Sequence, residues 1–494
     1  MLKLATVFSG IGAVEHALKR MEIPYEIVFA CDNGDVNIFS ELPKKKTDAE
    51  EVQKVFDRFP EEYDSTVLSD EADMAEKEQI KKDYDELLES FREFREEMSG
   101  LEKNDIRKRL IDFSDRLSMC FERLRMIKVN RDFSKITDCK KQKEYVDGLY
   151  KDKEKSNKVR QSYFANYDIT DDRWHWNVSL IDGRQYRGKV DLFVGGSPCQ
   201  SFSRAGHQRG LEDTRGTLFY EYARLVKEIQ PKIFIYENVN AMLTNDHGRT
   251  WKTIQNVFTE IGYDWHYQVL NAVDYGIPQS RKRIFVVGFR KDLKLKKEFT
   301  YPKPIPLEKT MKDFLLDNVS GRYYLREKAA EFVLDEKRRK KKYTQVDGDI
   351  ALCQTKNQQY NLTGDFIFVE ENTEKEKTIK DLEKYFLSEK IEKYVLDDSV
   401  AGYRKKPKTD PDIAHTLVKT MHKMHRASMD NYVTTDGRLR RLTPRECLRL
   451  MGFCDSFKIV VSDTAMYQQA GNSIVVDVLI ALLREIFKCY NDFE

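Results

Sequence analysis

The chain has 494 residues, 34% of them charged and 40% hydrophobic, with a formal net charge of +2 and a mean hydropathy of −0.65. That length suits two or more domains with substantial cores; near-neutral charge says nothing against a nucleic-acid partner, which is held by local basic patches. No apolar run approaches the roughly 18 residues of a membrane span, and the first residues lack the basic region and cleavage site expected of a signal peptide. The eight cysteines include no Cys-x-x-Cys pair, so a cytoplasmic protein with reduced thiols and no zinc site is expected.

Residues 2–8 predict a first strand, and Ser9-Gly10-Ile11-Gly12 the glycine turn that opens a helix through Val14, Ala17 and Leu18. Glycine lets the backbone bend tightly and approach a ligand closely, although such a turn also serves simply to join strand to helix. Residues 26–33 read as a second strand ending in Asp32 and Asn33, where a carboxylate can accept from ribose hydroxyls as in dinucleotide folds.

Residues 43–163 have a different character. Ile80, Tyr84, Leu87, Phe91, Phe94 and Met98, then Ile106, Leu110, Phe113, Leu117, Cys120, Leu124 and Ile127, alternate spacings of four and three, a heptad seam in two runs. Ser99-Gly100 separates the runs, and Asn104 or Asp105 is placed to cap the second. Residues 44–97 carry 10 basic and 19 acidic side chains, a net of −9, whereas 98–160 carry 18 basic and 11 acidic, a net of +7. An antiparallel helical hairpin with an acidic arm against a basic one is expected. Its role stays open between a structural insertion, a partner dock, and a DNA-embracing arm using Arg107, Lys108, Arg109, Arg116, Arg123 and Arg125.

An apolar strand at 190–194 runs into Gly195-Gly196-Ser197-Pro198-Cys199-Gln200. A cysteine delivered behind small residues and a proline at a strand end is placed to reach into a cleft. A lone thiol is often just a small core hydrophobe; its company argues otherwise. A strand at 233–239 carries Glu237, and Gln279, Arg281 and Arg283 lead into another at 284–288. Polar groups at the ends of three strands mark the place where open α/β sheets form their sites.

Beyond residue 290 the composition shifts: Pro302, Pro304 and Pro306 mark a linker, and six consecutive cations stand at 337–342, a solvated face or a phosphate contact. His415, His422 and His425 lack the partners of a metal site, and none is expected. An apolar helix is predicted at 475–486, returning the C-terminus to the sheet.

Taken together, Phe8-Ser9-Gly10-Ile11-Gly12, Pro198-Cys199-Gln200, Glu237-Asn238-Val239, Gln279 with Arg281 and Arg283, 441–446, and Gly471-Asn472-Ser473-Ile474 make the chain resemble the C5-cytosine DNA methyltransferase family of the prokaryotic restriction-modification type. The resemblance implies an α/β fold: a Rossmann-like S-adenosylmethionine-dependent methyltransferase sheet with helices on both faces and a smaller, irregular target recognition domain, here with the inserted hairpin. It divides the chain into catalytic domain at 1–42 and 164–300, insertion at 43–163, recognition domain at 301–455, and a C-terminal return at 456–494.

The resemblance further implies Cys199 as nucleophile on cytosine C6, Glu237 at N3, and Arg283 helped by Arg281 at O2. The cofactor would be S-adenosylmethionine, held by Phe8, Ser9, Gly10, Gly12, Asp32, Asn33, Asp168, Ile169, Gly196, Pro198, Leu218, Asn472, Ser473 and Ile474. Contacts to double-stranded DNA fall to Gln200, Ser203, Arg204, Arg209, Arg215 and Gln279, with Gln354, Lys356, Asn357 and Arg404 as base readers. A monomer, paired functionally with a cognate restriction endonuclease, is the expected form. Two rivals remain: a tRNA cytosine C5 methyltransferase, disfavoured because its Cys-Phe-Thr signature is absent, and a non-catalytic DNA-binding homologue, disfavoured because Cys199, Glu237 and Arg283 are all present.

Overall fold

The computed structural model describes residues 1–39, 46–66, 71–197, 217–316, 319, 325, 327–335, 344–351, 364–366, 408–409, 413, 431–435 and 438–493. The chain forms two compact units, Asp35–Asp152 and the remainder, Met1–Gly34 with Lys153–Glu494.

The larger unit is built on seven strands: β1 (Leu2–Val7), β2 (Tyr25–Cys31), β3 (Trp174–His175), β4 (Leu192–Gly195), β5 (Ile233–Val239), β6 (Tyr263–Asn271) and β7 (Lys282–Arg290). Their order across the sheet is β3-β2-β1-β4-β5-β7-β6. The first five are mutually parallel, while β7 runs antiparallel to both β5 and β6. Every residue of β4, and of β5 as far as Tyr236, is buried, which explains why both read as unbroken apolar runs: a central parallel strand is covered on both faces. Phe29, Phe193, Tyr222, Phe234, Tyr236 and Phe258 share one core.

The helices in chain order are α1 (Ala13–Arg20), α2 (Ala49–Ser65), α3 (Glu71–Glu97), α4 (Lys103–Ser134), α5 (Cys139–Leu149), α6 (Lys158–Asn166), α7 (Thr217–Ile229), α8 (Arg249–Glu260), α9 (Glu327–Leu334), α10 (Pro444–Leu450), α11 (Asp463–Asn472) and α12 (Val476–Cys489). The single C-terminal helix of the sequence reading is preceded by another, α11, and the chain breaks between them at Ser473, which is extended. The chain ends meet: the Met1 amino group donates to Phe493 O at 3.4 Å, and Arg20 on α1 grips Asp477 on α12 with two bonds of 2.8 and 2.9 Å. Of the 301–455 stretch, the described parts include α9 and short strands at Thr344–Val346, Gly364–Phe366, Lys408–Thr409, Asn431–Thr435 and Arg438–Arg441.

In the smaller unit the heptad positions do what their spacing requires. Ile80, Tyr84, Leu87, Phe91 and Phe94 on α3 and Leu110, Phe113, Leu117, Cys120, Leu124 and Ile127 on α4 are buried in one core, with the turn at Met98–Gly100. Arg123 reaches Glu76 and Asp83 while Arg109 reaches Glu97, the crossed pairing of an antiparallel hairpin. The expected cap at Asn104 or Asp105 is displaced: Glu102 occupies the cap position and its side chain makes no capping bond. A third helix, α2, adds Val52, Val55, Phe56 and Phe59 to the same core. Four of the six cations considered for DNA contact, Arg109, Arg116, Arg123 and Arg125, pair with acids inside this unit.

The smaller unit ends at Asp152, and α6 belongs to the larger one. Asn157 caps α6 through Arg160 N at 2.8 Å and donates to Asp32 O at 3.0 Å, which ties α6 to the catalytic unit.

Candidate active site

The described candidate residues collect where the parallel strands end. Val7 pairs with Gly195, and Gly195 with Tyr236, so the turn after β1, the segment after β4 and the end of β5 are neighbours. A cleft opens there, lined by Phe8, Ser9, Gly10, Glu15, Gly196, Asn472, Ser473 and Ile474 among others. Seven of these eight come from the sequence reading, drawn from three parts of the chain; Glu15 does not.

The glycine turn is held from below. Gly12 has φ +74°, and a Cβ on it would lie 2.2 Å from Tyr167 Cε2; only glycine suits both demands. The Tyr167 hydroxyl donates to Ile11 O at 3.0 Å and Gly12 O at 2.7 Å. Phe8 itself sits at φ 54°, a strained backbone for an aromatic residue of the kind that collects at functional sites. Asp32 fastens the turn, accepting from Gly10 N at 2.9 Å and Gly34 N at 2.8 Å through different oxygens. Asn33 and Asp168 are exposed and Ile169 half-buried; Leu218, at the start of α7, packs on the core. None of these four lines the cleft.

Beside the cleft, Glu237 and Arg283 project from neighbouring antiparallel strands. Glu237 lies opposite Phe285 and Val239 opposite Arg283, a two-residue diagonal that puts both side chains on one face. Glu237 Oε1 is 3.2 Å from Arg283 Nε, with side chains 13% and 18% exposed. Burial pushes the Glu237 carboxyl above its ordinary value, against the opposing pull of Arg283 and then Arg281. Gly196 abuts this acid: a Cβ there would meet Glu237 O at 2.8 Å and Oε2 at 2.9 Å. Behind it, Ser197, Tyr236 and Asn238 form a buried network, with Ser197 Oγ and the Tyr236 hydroxyl 2.7 Å apart and Asn238 Nδ2 donating to that hydroxyl at 2.8 Å.

Two sequence assignments change in character. Arg281 is buried, and its Nη2 donates to Gly471 O at 3.0 Å and Ser473 O at 2.8 Å, so it positions the Gly471–Ile474 stretch instead of reaching toward a substrate. Gln279 is fully buried and donates to Leu450 O at 2.8 Å; an amide so enclosed presents no edge to DNA. Pro198, Cys199, Gln200, Ser203, Arg204, Arg209, Arg215, Gln354, Lys356, Asn357 and Arg404 lie outside the described residues, as do the basic run and the three histidines. Among the described residues no group of three or more His, Cys, Asp or Glu could hold a metal, and no helix is long and apolar enough to cross a membrane.

The sequence reading missed Glu15, Tyr167, Asn157 and the Ser197–Tyr236–Asn238 network. Tyr167 stood inside a segment already singled out, and Asn157 opens a helix as a capping residue does. Nothing in the spacing of Glu15 distinguished it from a solvent-facing acid.

A family model described as C-5 cytosine-specific DNA methylase matches residues 144–488. The chain belongs to this C5-cytosine DNA methyltransferase family. Type II methyltransferase M.HhaI of Haemophilus parahaemolyticus is 35% identical over 289 residues, covering 58% of this chain and 73% of that protein. Type II methyltransferase M1.ScrFI of Lactococcus lactis subsp. cremoris is 31% identical over 335 residues, covering 66% and 69%. Among solved structures, the S. pombe Dnmt2 methyltransferase aligns over 98% of both chains at 14% identity and a TM-score of 0.48.

Proposed function

We propose that this methyltransferase moves a methyl group from S-adenosylmethionine to C5 of a cytosine flipped out of duplex DNA, through a covalent bond between Cys199 Sγ and C6. The observation that carries the reading is the Glu237–Arg283 pair beside Gly196, three residues before Cys199 in the sequence and at the mouth of the cleft.

The cleft suits the cofactor. A left-handed glycine turn allows close backbone approach, Asp32 is fastened just beyond β2 by Gly10 N and Gly34 N, where a carboxylate can meet ribose hydroxyls, and Asn472, Ser473 and Ile474 line the same cleft. Phe8, Ser9, Gly10, Gly12, Asp32, Asn33, Gly196, Pro198 and the Asn472–Ile474 stretch would hold it, with Asp168, Ile169 and Leu218 toward the adenine. When bound, S-adenosylmethionine supplies an electrophilic methyl group on a sulfonium, for which an activated C5 is the acceptor.

Activation is the work of the protein. Cytosine C5 is a poor nucleophile because its electrons belong to the aromatic ring; adding the Cys199 thiolate across C6 breaks that aromaticity and makes C5 enamine-like. Negative charge developing on the ring is met at N3 by Glu237, which can donate a proton because burial holds its carboxyl up. Arg283 steadies Glu237 and would hold the ring O2. Loss of the C5 proton to a base then expels Cys199 by elimination. The chemistry cannot reach a stacked base, so the target must leave the helix. Gln200, Ser203, Arg204, Arg209 and Arg215 are assigned to the duplex and Gln354, Lys356, Asn357 and Arg404 to base reading. Monomeric action in the cytoplasm, with a cognate restriction endonuclease as functional partner, completes the reading.

The test is methyl transfer from labelled S-adenosylmethionine to plasmid DNA, followed by bisulfite sequencing. Label confined to C5 of cytosines in one recurring sequence is expected; transfer only to tRNA, or none with Cys199 intact, would overturn it.

A further inference from the structure

Three consecutive residues of β5 grip the two residues that follow β4. Glu237 meets Gly196 so closely that a Cβ there would lie 2.8 Å from Glu237 O and 2.9 Å from its Oε2. Tyr236 and Asn238, on either side of it, share the opposite face of the strand, and both hold Ser197. The Tyr236 hydroxyl lies 2.7 Å from Ser197 Oγ. Asn238 Nδ2 donates to that hydroxyl at 2.8 Å and to Ser197 O at 3.3 Å; its amide is turned this way because Oδ1 accepts from Val239 N at 2.8 Å. All three residues are buried, Tyr236 completely. The Tyr236 ring packs tilted or edge-on against Phe219, Tyr222 and Phe258, a place that phenylalanine would fill as well. A hydroxyl taken into such a core costs free energy that only its hydrogen bonds offset. What the oxygen adds to the ring is a fixed point on the chain at Ser197, two residues before Cys199.

We propose that Tyr236 is a positioning residue for the nucleophile: through Ser197 its hydroxyl fixes where the chain leaves β4 relative to Glu237, and so the approach of Cys199 Sγ to cytosine C6. This rests on the reading that Cys199 is the nucleophile. Tyr236 is enclosed and does not line the cleft, so it acts through Ser197 and exchanges no proton with the substrate. Attack requires the reacting atoms to be held about 3–3.5 Å apart and aligned. Loosening this anchor therefore slows thiolate addition while the grip on cofactor and DNA stays as it was.

The experiment compares the full chain as wild type, Tyr236→Phe, Ser197→Ala and the double variant. It reads the single-turnover rate of covalent adduct formation with S-adenosylmethionine and duplex DNA carrying 5-fluorocytosine at the methylated position. The KM for unmodified duplex and the calorimetric affinity for S-adenosylmethionine are measured alongside. Adduct formation is expected to slow by about tenfold or more in each single variant, with KM and cofactor affinity unchanged. Because both substitutions remove the same bond, the double variant should be no slower than the slower single one. Ser197→Ala leaves the aromatic core intact, so it carries the test even if Tyr236→Phe folds poorly. Adduct formation at the wild-type rate in the variants overturns the inference. So do losses that multiply in the double variant, and so does a parallel fall in cofactor affinity, which marks the network as support for the whole site. If the wild type forms no adduct, the reading of Cys199 as nucleophile fails, and the inference with it.

Discussion

Arg281 offers the sharpest test of how the C-terminal part of the chain is locked to the site. Its Nη2 bonds the carbonyls of Gly471 and Ser473 at 3.0 and 2.8 Å, and both residues are buried. Hydrogen bonds from a charged donor are worth roughly 1.5–3 kcal/mol each, and a buried carbonyl left unpaired costs a comparable amount. These are two views of one loss, so Arg281→Met is expected to destabilise the catalytic unit by about 3–5 kcal/mol. Arg281→Lys, which keeps the charge and one donor, should recover about half. The same change removes one of the two cations that hold the Glu237 carboxyl down. Its pKa then rises further. If protonated Glu237 is the working form, activity is lost as pH climbs through that pKa, and the alkaline limb of kcat/KM moves to higher pH in Arg281→Met. Urea denaturation gives the first quantity and a pH–rate profile the second. Unchanged stability, or an alkaline limb that stays put or moves down, would refute the reasoning.

Three further outcomes follow from the packing. His16 accepts from Cys454 N at 3.0 Å and its pKa is lowered to about 4 by burial, then by Arg20 and Lys19; because the unfolded ring titrates near ~6.5, the stability it confers is complete above that pH and drains away as pH falls toward 4, so the melting-temperature gap between wild type and His16→Gln should shrink over that window. Gly12→Ala forces a side chain into a left-handed backbone and into the Tyr167 ring, so cofactor affinity measured by calorimetry should drop at least about tenfold, with partial recovery when Tyr167→Leu makes room. Leu117→Ala removes a fully buried side chain from the helical unit and should cost about 2–5 kcal/mol, visible as faster hydrogen exchange over residues 49–134.

Much of this was legible in the sequence because the strands are buried on both faces. Ile233–Val239 was read to the residue, and the heptad seam gave both arms of the hairpin, since a seven-residue repeat leaves little choice of which face is buried. Helix α2 escaped because its apolar set is short and Pro60 interrupts the pattern, although the helix runs through it to Ser65. The site was legible as residue types at strand ends; its supports were not. Arg281 and Gln279 carry the side chains of substrate-binding residues, and only their burial shows them bonded to carbonyls from the C-terminal part of the chain. Glu15 falls on a helix turn where an acid is unremarkable, and its hydrogen-bond partner Tyr163 stands 148 residues away.

The central claim concerns one sulfur atom. Duplex DNA carrying 5-fluorocytosine at the methylated position, incubated with the protein and S-adenosylmethionine, blocks the final elimination because fluorine cannot leave C5 as a proton does. Peptide mass spectrometry should find a denaturation-resistant adduct on Cys199 in the wild type, and none in Cys199→Ser. An adduct on another cysteine, or methylation of ordinary cytosine by Cys199→Ser at the wild-type rate, would contradict the account.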